Sequence, residues 1–240
     1  MNSLHLHSHH SHHVAEARHH ESVITPPNTL ILAGIQGSGK GTQGKMLQKD
    51  FEYAGFDMGA QLRKIAAQET ELGQLVREAQ KTGALVSQET VMRIVQEFTL
   101  QRDSVSRVMF DGIPRTLKQK HALDQTLTEV GRGDAKLLHI AVSDITARKN
   151  IAYRAKVEGR ADDAKPEVVE KRIRTFYEET VPVIDEFRRQ GRLIHVDGDT
   201  GLDPTRAHPD EVHESIQAVY ARVQQVLSGS LQDESIAIPA

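Results

Sequence analysis

Ten residues, Gly34-Ile-Gln-Gly-Ser-Gly-Lys-Gly-Thr-Gln43, have the types and spacing to hold a phosphate. Closely spaced glycines let backbone N–H groups converge on an anion without Cβ clashes. A helix starting directly afterwards adds unpaired donors and partial positive charge. Lys40 supplies a mobile full charge. The match is to G-x-x-x-x-G-K, with Gly34, Gly39 and Lys40 in place; Gly41 follows the lysine, and the hydroxyl arrives one residue later on Thr42.

A second cluster, Arg107-Val-Met-Phe-Asp-Gly-Ile-Pro-Arg-Thr116, runs an apolar stretch straight into a charged turn. An acid at the carboxyl end of a buried parallel strand lies where open α/β sheets bind ligands. Asp111 there is placed to hold magnesium through water beside the Lys40 loop. Pro114 stiffens the turn and aims Arg115 at the same crevice.

These residues need a scaffold of strands and helices. Short continuous apolar runs at Thr29–Ala33, Gly55–Phe56, Arg107–Phe110, Leu137–Val142 and Leu193–Val196 read as strands covered on both faces. Helical patterns occupy Gln43–Lys49, Gln61–Glu69, Ser87–Leu100, Pro166–Phe187 with a bend or break at Pro182, and a last helix from Ala207 to Leu227. Five strands with helical crossovers imply an α/β protein with a parallel, doubly wound sheet.

Composition sets the bounds. The chain has 240 residues and a net charge of −3, which gives no reason to expect a nucleic-acid partner. It contains no cysteine, which excludes disulfides, thiolate zinc sites and cysteine nucleophiles and fits a reducing compartment. No apolar run approaches the roughly 20 residues that span a bilayer. No secretory apolar block opens the chain. The expectation is therefore a cytoplasmic protein without a membrane partner. Residues 1–27 stand apart: eight of the 13 histidines fall within the first 20 positions, and clustered imidazoles suit a divalent zinc, nickel or copper ion. Residues 229–240 read as a flexible C-terminal tail.

The two clusters, in this order and together with several shorter motifs, resemble the adenylate kinase family of nucleoside monophosphate kinases. Gly34–Gln43 looks like its phosphate loop, and Gly59-Ala-Gln-Leu-Arg63 and Gly83-Ala-Leu-Val86 like the start and end of its monophosphate-binding segment. Asp111-Gly-Ile-Pro-Arg-Thr116 with Gln119 resembles its D-G-F-P-R-T-x-x-Q signature, and Arg154 with Arg160-Ala-Asp-Asp163 resembles its lid. Lys171-Arg172-Ile173 and Val196-Asp197-Gly198 complete the series, so that the likeness covers residues 28–228.

The resemblance implies a P-loop three-layer α/β fold with a five-stranded parallel sheet, a helical monophosphate-binding insertion over residues 57–86 and a short lid over residues 151–164. It implies ATP as phosphoryl donor, with Mg2+ at Asp111, and reversible transfer to a nucleoside monophosphate, AMP first, by a monomer. The donor falls to Gly37, Ser38, Gly39, Lys40, Gly41 and Thr42, with Arg154 and, through its backbone, Thr200. The acceptor falls to Met58, Arg63, Ala84, Leu85, Val86, Gly112, Ile113, Pro114 and Gln119. Arg115, Arg154, Arg160 and Arg172 surround the transferring phosphoryl with Lys40, while Asp162 and Asp163 orient the lid arginines. Phosphoryl transfer needs positioning and charge stabilisation rather than a protein nucleophile, and converging guanidiniums answer that need.

The chain departs from the pattern at four positions. Gln36 replaces a proline, Met58 a threonine, Ala60 an aspartate, and Asn150 the first lid arginine. Met58 and Ala60 make the acceptor pocket less polar, and keep a kinase for UMP, CMP or another monophosphate as an alternative. A catalytically weak nucleotide-sensing or binding protein is the alternative from another class.

Overall fold

The computed structural model describes residues 26–82, 85–101, 106–158 and 165–228. The histidine-rich stretch and its proposed metal, the C-terminal tail, Ala84, Arg160, Asp162 and Asp163 lie outside the described residues.

Five parallel strands form one sheet in the order β2-β3-β1-β4-β5. They are β1 (Thr29–Ala33), β2 (Ala54–Asp57), β3 (Val108–Asp111), β4 (Lys136–Ala141) and β5 (Leu193–Asp197). Each expected strand is present, within one residue of its expected ends. All five residues of β1 are buried, because β1 lies mid-sheet between β3 and β4 and is covered on both faces.

Alternation along β1 divides the core. Leu30 and Leu32 pack with Leu47 of α1 (Lys40–Phe51) and with Val219 and Val223 of α9 (Pro209–Leu227). Ile31 and Ala33 face the other way, into a cluster with α4 (Gln88–Leu100), α5 (Leu117–Glu129) and α8 (Val181–Arg189). The result is helix, sheet, helix in three layers. A smaller cluster joins Ile35, at the start of the phosphate loop, to Ala147 and Ile151 of α6 (Asp144–Glu158) and Val169 and Ile173 of α7 (Pro166–Thr175).

Two helices, α2 (Met58–Ala66) and α3 (Glu71–Thr82), leave the sheet between β2 and α4. Helix α2 starts three residues before the apolar pattern predicts, because Asp57 accepts the Ala60 N–H at 3.0 Å and caps it. Residues 151–158, read from sequence as the first part of the lid, are the last two turns of α6.

The helix expected over Pro166–Phe187, with a bend or break at Pro182, is interrupted by a π-helical turn, Phe176–Thr180, which runs directly into α8, where Pro182 is the second residue. Lys120 of α5, almost fully buried, reaches Asp124 at 2.7 Å and Gln190 at 3.0 Å. Arg192 shares Asp124 at 3.1 Å. This pairing of buried charge locks α5 against the end of α8.

One ionisable group in the sheet is held neutral. His139 of β4 is 5% exposed, and its ring meets that of His195 on β5 at 5.2 Å between centroids. Burial chiefly, with His195 and Arg188 adding, pulls it down from 6.5 to about 3. In the unfolded chain the same imidazole takes a proton near 6.5. Stability is therefore complete above that pH and falls as the pH drops from 6.5 towards 3, by at most about 5 kcal/mol. Unfolding midpoints in urea, followed across this window, should decline more steeply for the native chain than for His139→Leu; parallel curves would remove His139 as a cause.

Candidate active site

The phosphate loop joins β1 to α1. Gly37 and Gly39 have φ of 88° and 81°, in the left-handed region that favours glycine. Gly39 is the N-cap of α1, so the N–H groups of Lys40 and Gly41 have no intrahelical acceptor, whereas that of Thr42 donates to the Gly39 carbonyl at 2.9 Å. Gly37 also lies so close to α6 that a Cβ there would run into the Ala147 carbonyl. Asn150, one turn further along α6, donates from Nδ2 to the Gly37 carbonyl at 2.8 Å.

Opposite the loop, β3 ends in Asp111, which pairs in register with Asp57 at the end of β2. The following turn contains a cis Ile113–Pro114 peptide and presents Arg115. Three hydrogen bonds hold Arg115. Its N–H donates to Gln119 Oε1 at 2.8 Å, its Nε donates to the Gly112 carbonyl at 3.0 Å, and its own carbonyl accepts from Thr180 Oγ1 at 3.1 Å. Gln119 is buried, and Thr116 caps α5 beneath it through a 3.2 Å bond to the Gln119 N–H.

Charge is concentrated in this cleft. Desolvation, with Arg115 and Arg154 adding repulsion, pulls Lys40 below the ordinary lysine range, while Asp111 and Asp57 oppose the shift. Desolvation likewise lowers Arg115, against the pull of Asp111, and Arg172 adds to the lowering. Asp111 is raised by desolvation and by Asp57, against Lys40 and Arg115. Lys40 is half-buried and Arg115 exposed by surface area, although protein crowds both, so cleft water limits these shifts.

One cleft of about 1380 Å³ takes in every described candidate residue. On the loop side it is lined by residues 37–42, Arg154 and Thr200. On the other side it is lined by Met58, Arg63, Leu85, Val86, residues 111–115, Gln119 and Arg172. The structure thus brings together side chains from β3, from α1, α2, α5, α6 and α7, and from the loops between them. Among the described residues no group of three or more His, Asp or Glu could by itself hold a metal. The Asp111 carboxylate does border the phosphate loop: its Oδ2 would stand 3.6 Å from a Cβ at Gly41. That suits a hydrated magnesium ion whose other ligands are phosphate oxygens and water.

The family model for adenylate kinase matches residues 32–192. The chain is 35% identical over 178 residues to the adenylate kinase of Stenotrophomonas maltophilia (strain K279a), covering 74% of this chain and 95% of that one. It is likewise 35% identical over 178 residues to that of Maricaulis maris (strain MCS10), with 74% and 94% covered. It is 36% identical over 174 residues to that of Xanthomonas campestris pv. campestris (strain B100), with 72% and 92% covered. The chain belongs to the adenylate kinase family.

As a member of the adenylate kinase family it is a phosphotransferase, and the α/β fold inferred from sequence is the one observed. Three contacts of this cleft escape sequence reading. The acid missing at Ala60 is replaced in space by Asp57, whose carboxylate lies 3.6 Å from Arg63. The signal was available: an acid three residues before a helical N–H is a cap. Thr180 had no such signal, since 65 residues separate it from the carbonyl it binds. Asn150 was legible as a departure, but its bond to Gly37 was not.

Thr180 is buried, and its hydroxyl bond ties the π-turn to the Arg115 turn. Replacing it with valine keeps the shape and deletes a hydrogen bond worth about 1 kcal/mol, or roughly fivefold in rate. Thr180→Val should lower kcat by about that factor with little change in the KM for ATP, and Thr180→Ser should restore it. A folded valine variant with undiminished kcat would deny Thr180 this positioning role.

Proposed function

We propose that the chain catalyses reversible phosphoryl transfer from magnesium-ATP to AMP, giving two ADP. The observation that carries this reading is the convergence of Lys40, Arg115, Arg154 and Arg172 on one cleft with Asp111. A site that only binds ATP has no need of so many cations around a second phosphate position.

In this reading the donor triphosphate lies on the amides of Gly37–Thr42, with Lys40 on its outer phosphates. Arg63 grips the acceptor phosphate, and Met58, Leu85, Val86, Gly112, Ile113 and Pro114 border its nucleoside. Ala84, outside the described residues, joins that border. Gln119, with Oε1 committed to the Arg115 N–H, offers its amide hydrogens to an acceptor atom on the base.

An acceptor phosphate oxygen attacks the γ-phosphorus. The bond from that phosphorus to the bridging β–γ oxygen breaks, and ADP leaves. Lys40, Arg115, Arg154 and Arg172 stabilise charge on the oxygens in flight, with Arg160 completing the set and Asp162 and Asp163 orienting the lid. Asp111 would hold the water shell of a magnesium ion carried by the triphosphate, which would neutralise phosphate charge. The reading extends to a monomer working in the cytoplasm. No described helix is long and apolar enough to cross a membrane.

The buried Met58 side chain in the acceptor wall favours one second reading, a kinase for a pyrimidine monophosphate. ADP formation from ATP and magnesium, with AMP, GMP, CMP and UMP supplied separately, decides between them. Turnover should be fastest with AMP; preference for UMP or CMP would keep the chemistry and change the substrate. In the same assay Lys40→Met should lose on the order of 100-fold or more in kcat while its circular dichroism is kept. Unchanged turnover in that variant would reject the assigned donor site.

A further inference from the structure

Helix α6 meets the phosphate loop along one stripe. Ala147, Asn150, Ile151 and Arg154 follow the i, i+3, i+4, i+7 spacing that sets side chains on a single helical face. Ala147 and Ile151 pack with Ile35, at the start of the loop, while Asn150 and Arg154 line the cleft. The loop therefore rests on a helix that carries one of the converging arginines.

Taken by itself the loop backbone is permissive. Gly34, Gly37 and Gly39 have φ of 153°, 88° and 81°, so that three glycines of positive φ fall within six residues. Glycine populates both signs of φ about equally, and such a segment keeps one shape only where other groups fix it. The loop's own hydroxyl does not fix it: Ser38 Oγ is buried without a hydrogen-bond partner among the described residues.

The peptide between Gly37 and Ser38 is held at both ends. Its N–H, on Ser38, donates to the Ile35 carbonyl at 3.0 Å. Its carbonyl, on Gly37, accepts from Asn150 Nδ2 at 2.8 Å, across 113 positions of sequence. A Cβ at Gly37 would lie 2.4 Å from the Ala147 carbonyl, so the backbone touches α6 at this same point. Rotation of that peptide would displace the amides of Gly39, Lys40 and Gly41, which follow it directly. The Asn150 carboxamide donates without charge, so it acts on the shape of the loop and adds nothing to the field of Lys40 and the arginines.

We propose that Asn150 is a positioning residue for the triphosphate: it fixes the Gly37–Ser38 peptide and so presets the phosphate loop before any nucleotide binds. What it serves is the phosphate chain, through the backbone amides. Because Arg154 lies one turn further along α6, the same bond sets the loop in register with that guanidinium. The inference deepens the kinase reading above, and rests on it in treating the triphosphate as phosphoryl donor.

Calorimetric binding to the full chain, to Asn150→Ala and to Asn150→Gln is the test, with magnesium tripolyphosphate, magnesium-ATP and AMP as ligands. Tripolyphosphate offers the loop its phosphates with no base or sugar attached. Asn150→Ala should weaken tripolyphosphate and ATP by the same factor, about fivefold for one lost hydrogen bond, and leave AMP unchanged. Asn150→Gln, which keeps the amide, should recover part of that loss. ATP weakened with tripolyphosphate unchanged would show that Asn150 touches the nucleoside, and would overturn the inference. So would unchanged binding of both, or equal losses in the alanine and glutamine variants, which would trace the effect to packing. These are binding measurements, so the expected losses without ADP formation from ATP and AMP in the native chain would reject the kinase reading and leave Asn150 as the brace of a triphosphate site.

Discussion

Like charge held in one place is the constraint on which this structure turns. Lys40, Arg115, Arg154 and Arg172 line a single cleft, and the carboxylates that answer Lys40 and Arg115 from the strand ends are Asp111 and Asp57. Such an arrangement opposes folding, and it survives because each cation is mounted on an element anchored elsewhere. Lys40 opens a helix whose inner face is in the core; Arg154 and Arg172 sit on helices joined to Ile35 by a shared apolar cluster. In the proposed reaction nucleotide phosphates would supply the anions that complete the balance, so that substrate binding and relief of repulsion would be one event.

Precision in this field comes from backbone bonds around Arg115. Its N–H and its carbonyl are bound by side chains from two different helices, and its guanidinium by a carbonyl three residues back. The π-turn has a clear use here. It places Thr180 against the Arg115 carbonyl and Tyr177 against Asp144 of α6, at 2.6 Å, within one short segment. Arg148 then binds both Asp144 and Glu170 and so ties α6 to α7. A regular helix would turn these two side chains through different angles, which fits the tendency of π-turns to appear at working sites.

The strands were legible because a parallel sheet covered on both faces demands continuous apolar runs, and those runs stand out in this aliphatic sequence. The phosphate loop and the Asp111 turn were legible because their chemistry fixes residue types at short spacing. Helix α6 was not. Thr146, Asn150, Tyr153 and Arg154 face the cleft while Ala147 and Ile151 face the α7 cluster, so no single apolar stripe marks it. Helix α3 buries Val76 but leaves Leu72 and Leu75 exposed, so only part of its apolar pattern marks a packed face. The start of α2 was hidden by reading apolar period before caps. Contacts such as Thr180 with Arg115 join residues that only the finished fold makes neighbours.

The two halves of the cleft differ in how they can recognise a base, and the difference stems from which hydrogen bonds are already made. On the acceptor side Gln119 is buried, and its orientation is fixed by the Arg115 N–H. A ligand there would meet an amide whose oxygen is already bound by the Arg115 N–H, and a poor match would disturb the Arg115 turn itself. On the other side of the cleft Asn150 is bonded to the Gly37 carbonyl and Thr200 to Ser215, so a change there disturbs the phosphate loop and the turn after β5 rather than the Arg115 turn.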